Sequence, residues 1–161
     1  MVHKMKFSAF IFLLIILFSF QIFAQSVYHP VLKFDPDRHP KTDLQNAIAE
    51  AQKSDKNIIL DVGGDWCIWC HRIDAFIEGH TDIKNFLHEN YVIMKVNYSP
   101  ENKNENFLSE YPKIPGYPHF FVLDKDGRLL HSQDTGKLEE GRDYNPQKFM
   151  AFLKEWIPKE N

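Results

Sequence analysis

Blocks of apolar and polar residues follow one another along the chain and define an order of elements. Behind His3, Lys4 and Lys6 runs an almost unbroken apolar stretch from Phe7 to Phe23, closed by Ala24-Gln25. A basic start, an apolar middle and a small residue at the end make a secretory signal peptide over 1–24, with cleavage expected after Ala24. Ser8, Ser19 and Gln21 interrupt the run, so an uncleaved membrane anchor is the less favoured reading. An N-terminal segment, 25–41, follows, in which Val31 to Phe34 suits a first strand and Pro36 and Pro40 bound a loop. The folded domain is expected over 42–161.

Thr42 is the expected cap of a first helix, because Leu44, Ala47, Ile48 and Ala51 recur at i, i+3, i+4 and i+7. Asn57 to Val62 is a mostly apolar run between polar Ser54-Asp55-Lys56 and Gly63-Gly64, which predicts a buried strand ending in a turn. Ile73, Phe76 and Ile77 then give a helical face that stops near Gly79, and a short helix is expected from Asp82 to His88. Tyr91 to Val96 reads as another strand, so the order to this point is βαβαβ, half of a parallel sheet. Residues 97–115 form a polar crossover with one helix predicted from Glu105 to Tyr111. His119 to Leu123 and Leu129 to His131 flank a turn whose Gly127 is expected at positive φ. Asn145-Pro146 opens a last helix that buries Phe149, Phe152, Leu153 and Trp156.

Composition adds one domain's worth of core: 161 residues, 43% of them hydrophobic and 14% aromatic. Loss of Lys4 and Lys6 with the leader takes the formal charge from −3 to −5, with no basic stripe, which argues against nucleic acid as a partner. Cysteine usage changes the picture most. The chain has only two, in Trp66-Cys67-Ile68-Trp69-Cys70-His71, where a strand hands over to a helix. Two thiols with two residues between them can close a disulfide locally, and a helix starting at Cys67 aims its N–H groups at that sulfur. Such a position pulls a thiol from about 8.5 into the roughly 3.5–7.5 range, which makes Cys67 the attacking thiolate and Cys70 the resolving thiol.

Leu60-Asp61, Asp65-Trp66-Cys67-Ile68-Trp69-Cys70 and Gly116-Tyr117-Pro118 together resemble the thioredoxin superfamily, most closely its exported single-domain members. The resemblance implies an α/β, thioredoxin-like fold with a central mixed β-sheet and helices on both faces. It further implies that Asp61 is a buried acid accepting the proton of Cys70, Lys95 a modulating strand lysine, and Pro118 a cis-proline facing the disulfide. Trp66, Trp69, Tyr117 and Gly116 would form the substrate-binding surface, Trp69 being the favoured docking residue and Trp66 balanced between docking and packing. The implied activity is thiol-disulfide exchange with protein substrates outside the cytoplasm; the residues themselves set the expected direction as a reductant, because Ile68 and Trp69 bring no charge to Cys67 and an ionised Asp61 would oppose its thiolate. Its partners would be protein thiols or disulfides and a redox donor or acceptor protein. No cofactor beyond the Cys67–Cys70 disulfide and no metal are expected. Two departures bear on potential and partner choice: Ile68-Trp69 stands where thioredoxin has Gly-Pro, and Gly63 where it has an aromatic residue.

Duller and sharper readings compete. Cys67 to His71 is formally the attachment signature of c-type haem, with His71 as axial ligand and Met94, Met150 or His131 as distal candidates. Against it, the signature here follows a buried strand and precedes a Tyr-Pro before a hairpin. Structural zinc would need four ligands, and neither a second C-x-x-C nor a suitably spaced histidine pair is present. A non-catalytic thioredoxin-like binding module usually lacks one of the cysteines. Asp61 itself has a bland explanation, a core carboxylate satisfied by a hydrogen bond. Asn97-Tyr98-Ser99, a formal glycosylation acceptor followed by Pro100, is given no role.

Overall fold

The computed structural model describes residues 28–159, so the expected signal peptide lies outside the described residues. Strands β1 (Asn57–Gly63), β2 (Tyr91–Asn97), β3 (His119–Leu123) and β4 (Leu129–Asp134) make one sheet in the order β2-β1-β3-β4. β1 runs parallel to β2 and antiparallel to β3, and β3 pairs antiparallel with β4, so the sheet is mixed. The helices are α1 (Pro40–Ser54), α2 (Ile68–Gly79), α3 (Thr81–Asn90), the single turn α4 (Glu105–Leu108) and α5 (Pro146–Glu155). Two short strands, β5 (Glu139–Glu140) and β6 (Asp143–Tyr144), pair separately.

The pleat sorts side chains into two cores. Ile58, Leu60 and Val62 of β1 pack with Met94, Phe121 and Leu123 under Ala47 and Ala51 of α1. Ile59, Phe120 and Val122 face the other way, against Ile73 and Phe76 of α2, Ile83 and Leu87 of α3, and Phe149, Phe152 and Leu153 of α5. Helices therefore cover both faces, and β1, buried along its whole length, is the central strand. The same alternation places Asp61 on the α2 side, with Lys95 beside it in the β1–β2 register. No helix among the described residues is long and apolar enough to cross a membrane.

Apart from shifts of one or two residues at element ends, the following boundaries differ from expectation, each for a local reason. Val31 to Phe34 is no strand: Val31 makes a single parallel bridge to Met94, after which the chain bends at Lys33 and buries Phe34. α1 starts at Pro40 rather than behind Thr42, its N-cap His39 giving no side-chain bond and Pro40 supplying a preset φ at the first turn. α4 ends at Leu108 instead of Tyr111: beyond it the chain tightens into turns, with Glu110 N–H donating to Phe107 C=O and Tyr111 N–H to Leu108 C=O, and Pro112 disfavours helical backbone at Tyr111. β4 continues past His131 to Asp134, which pairs with His119. Gly127 has φ 83°, as its turn requires, and α5 is capped by Asn145, whose side chain accepts from Lys148 N–H at 2.9 Å.

Candidate active site

β1 delivers the chain to the site and α2 carries it away. Cys67 is the N-cap of α2 in an extended conformation, so its sulfur sits where the first helical N–H groups are unpaired. The N–H of Cys70 donates to Cys67 Sγ at 3.1 Å. The two cysteines form a disulfide, with Cα atoms 5.2 Å apart. Both cysteines are buried, Cys67 with 3% exposure being the more accessible of the two.

Beneath α2 lies a charged group set into the core. Lys95 Nζ donates to Asp61 Oδ2 at 2.7 Å and to Asp74 Oδ1, on α2, at 2.8 Å. Asp61 Oδ1 is buried without a partner. Burial raises the pKa of Asp61 above the ordinary carboxylate value, the neighbouring ammonium offsetting only part of that. Burial works against the Lys95 charge, but the two carboxylates outweigh it and hold Lys95 protonated.

The other expected site residues divide. Tyr117–Pro118 is a cis peptide, Pro118 C=O accepts from Thr135 Oγ1, and the Tyr117 ring packs against the cysteine cluster. Trp66 is 55% exposed, donates from Nε1 to Tyr98 C=O at 2.6 Å and meets Tyr117 edge-on. Tyr98 stacks on Tyr117 with centroids 4.7 Å apart, completing an aromatic row. Trp69, expected as the docking residue, is half-buried against the cysteine cluster, its ring edge-on to Tyr144 and covered by the Arg72 guanidinium at 4.5 Å. Ile68 takes the exposed place between the cysteines, at 61%. Gly116 lies in the exposed approach to the cis bond with open space around it.

Asp74, Phe34 and Tyr98 were not singled out for the site from the sequence. Asp74 had a usable signal, since it stands four residues after Cys70 on the same helix face. Phe34 and Tyr98 had none, their contacts being long-range. The haem ligands do not gather: Met94 is buried on the opposite face of the sheet from α2, His131 stacks on Trp156, and His71 Nε2 donates to Asp65 C=O at 2.8 Å. Among the described residues no three His, Cys, Asp or Glu side chains are grouped to hold a metal ion.

A mixed sheet between helices, with a C-x-x-C disulfide at a helix start, defines a thioredoxin-like protein. The chain belongs to that family: the family model described as thioredoxin-like matches residues 39–125. It is 28% identical over 93 residues to the disulfide bond reductase DsbH of Chlamydia pneumoniae, covering 52% of this chain and 55% of that protein. It is 24% identical over 115 residues to the thiol:disulfide interchange protein DsbD of Pseudomonas fluorescens, covering 71% of this chain and 18% of that protein. The chain thus spans about half the length of one of these curated relatives and under a fifth of the other. A solved disulphide isomerase from Xylella fastidiosa Temecula1 has the same fold, with TM-score 0.65 and 19% identity over 76% of this chain and 94% of that one. The oxidised C-terminal domain of DsbD from Neisseria meningitidis also shares it, with TM-score 0.52 and 23% identity over 72% and 95%.

Proposed function

We propose that the chain is a thiol-disulfide oxidoreductase that reduces disulfides of protein partners outside the cytoplasm. The observation that carries this reading is the Cys67–Cys70 disulfide at the start of α2, with the Cys70 N–H on Cys67 Sγ and an unpartnered Asp61 carboxylate oxygen buried on the α2 side of the sheet. In the reduced protein, the Cys67 thiolate attacks a partner disulfide, forms a mixed disulfide and expels the first partner sulfur as thiolate. Cys70 then gives its proton to Asp61 and attacks Cys67 Sγ; the Cys67–partner bond breaks and the second sulfur leaves. The chain ends oxidised and the partner reduced, so a donor dithiol must restore Cys67 and Cys70. Exposed Ile68 between the cysteines and exposed Trp66, edge-on to Tyr117, supply apolar surface for a polypeptide next to the disulfide. The signal-peptide pattern over 1–24 supports an exported location, and the names of the bacterial relatives support the activity and its reducing direction.

Insulin-disulfide reduction tests the reading. Cys67→Ser should abolish it, whereas Cys70→Ser should still attack and accumulate mixed disulfides with partners. Trapping by Cys67→Ser instead would reverse the two roles, and undiminished turnover in both variants would remove the activity from this pair.

A further inference from the structure

The N-terminal segment meets the edge strand β2 at Tyr28, whose hydroxyl donates to Ile93 C=O at 3.4 Å, and at Val31, whose C=O accepts from Lys95 N–H at 2.9 Å, and then turns Phe34 into the site. The ring of Phe34 has three sets of neighbours. With Cys67 and Cys70 it forms one buried cluster, against which Trp69 and Tyr117 pack. Beside Gly63 it fills the space into which a side chain would grow, since a Cβ there would lie 3.0 Å from Phe34 Cζ. Its ring centroid lies 4.2 Å from Lys95 Nζ. A ring so placed excludes water from the ammonium while offering it the negative face of the π-system. Lys95 is then bounded by Asp61, Asp74 and an aromatic surface.

We propose that Phe34 is a positioning residue for the redox chemistry: it keeps water off Cys70 and the Lys95–Asp61 pair, so that Asp61 rather than solvent takes the proton of the Cys70 thiol. The inference rests on the oxidoreductase reading above. The groups facing Asp61 are Lys95 from β2, Asp74 from α2 and the Tyr144 hydroxyl from β6, while its β3 neighbour is apolar Phe120; Cys70 lies two residues along the same face of β1, against Gly63. Lys33 and Asp35 flank Phe34 on its own segment. Burial is the largest influence on the Asp61 carboxyl and raises its pKa, so admitting water must lower it. The proton goes to Asp61 as the Cys70 sulfur bonds Cys67 Sγ and the outgoing thiolate departs; no further reactant is consumed.

Fully reduced full-length protein mixed with dithiobis-nitrobenzoate separates the steps, because Cys67 releases the first coloured thiolate and Cys70 the second. Phe34→Ala should shift the pH midpoint of the second release downward by roughly one unit, as expected for a partly rehydrated carboxylate. Its plateau should fall about tenfold, the scale of a weakened proton acceptor. Phe34→Leu, which keeps apolar volume without the ring, should shift the midpoint by a smaller amount, and it decides the matter should Phe34→Ala fail to fold. In an Asp61→Asn background neither Phe34 variant should alter the profile further. A midpoint unchanged by either variant, or a shift that persists with Asp61→Asn, overturns the role of Phe34. Absence of a Cys70-dependent second release from the unsubstituted protein would instead overturn the oxidoreductase reading.

Discussion

Gly63 shows how one missing side chain shapes the disulfide's surroundings. It stands directly before the turn into α2, and a Cβ there would collide with Cys70 Sγ as well as crowd Phe34. In the oxidised protein Cys70 Sγ is tethered to Cys67 and cannot turn away, whereas the reduced thiol can rotate. Gly63→Ala is therefore expected to destabilise the oxidised form by about 1–3 kcal/mol, the usual range for overpacking, and the reduced form by less. At about 1.4 kcal/mol per 30 mV, the potential should rise by a few tens of millivolts. Urea unfolding in both redox states, with equilibration against glutathione, checks this; equal destabilisation of the two forms would show that the contact does not discriminate between them. At this scale the two cysteines were legible because their relation is local, with two residues between them just after an apolar run and its turn. Phe34 was not legible. It lies in a stretch that reads as a strand, and only the folded chain brings it to Gly63 and Cys70.

Elements were readable wherever one periodicity held over a whole segment, as in β1, β2, α2 and α5. They were misread where a proline or a single long-range contact decides the outcome, as at Val31 to Phe34 and in α4. β3 carries a residue whose burial could not be anticipated from its place at a strand end. His119 is 1% exposed, shares a hydrogen bond of 2.8 Å between Nε2 and Ser132 Oγ on β4, and keeps Nδ1 without a partner. Burial lowers its pKa from 6.5 to about 4, with Asp134 pulling the other way. The folded protein thus holds a neutral imidazole that the unfolded chain protonates below its ordinary pKa. This contribution to stability is complete above pH 6.5 and is lost as the pH falls toward 4. Between neutral pH and about pH 5 the loss amounts to at most roughly 2 kcal/mol. Asp61 has the opposite sign, because its raised pKa lets the fold keep a proton that the unfolded chain gives up, so its contribution weakens as pH rises. Comparing the protein with His119→Phe isolates the histidine: its unfolding free energy should fall more steeply on acidification than the variant's, and parallel curves would dismiss the effect.

For the whole molecule, the mixed topology followed from the family resemblance, since hydrophobic periodicity alone does not say which strands are neighbours. What the assembled fold adds is the balance of charge on which the direction of electron flow depends. A strong oxidant is a protein whose reduced form is stabilised, chiefly through its attacking thiolate. Here the start of α2 and the Cys70 N–H favour a Cys67 thiolate. Opposing them, Asp61 and Asp74 place two carboxylates against the single ammonium of Lys95 beneath the same helix. Between the cysteines Ile68 points into solvent and Trp69 packs half-buried against the core, neither bringing charge, and His71 is engaged with the Asp65 carbonyl. The thiolate is accordingly only modestly favoured, and the potential should lie nearer the roughly −270 mV of thioredoxin than the roughly −120 mV of strong periplasmic oxidants. Asp61→Asn removes one opposing carboxylate and should move the potential upward. Equilibration against glutathione buffers measures both quantities. A value near −120 mV for the unsubstituted protein would make it a donor of disulfides instead of a reductant, and a fall in potential with Asp61→Asn would mean that the Asp61 carboxylate does not oppose the thiolate.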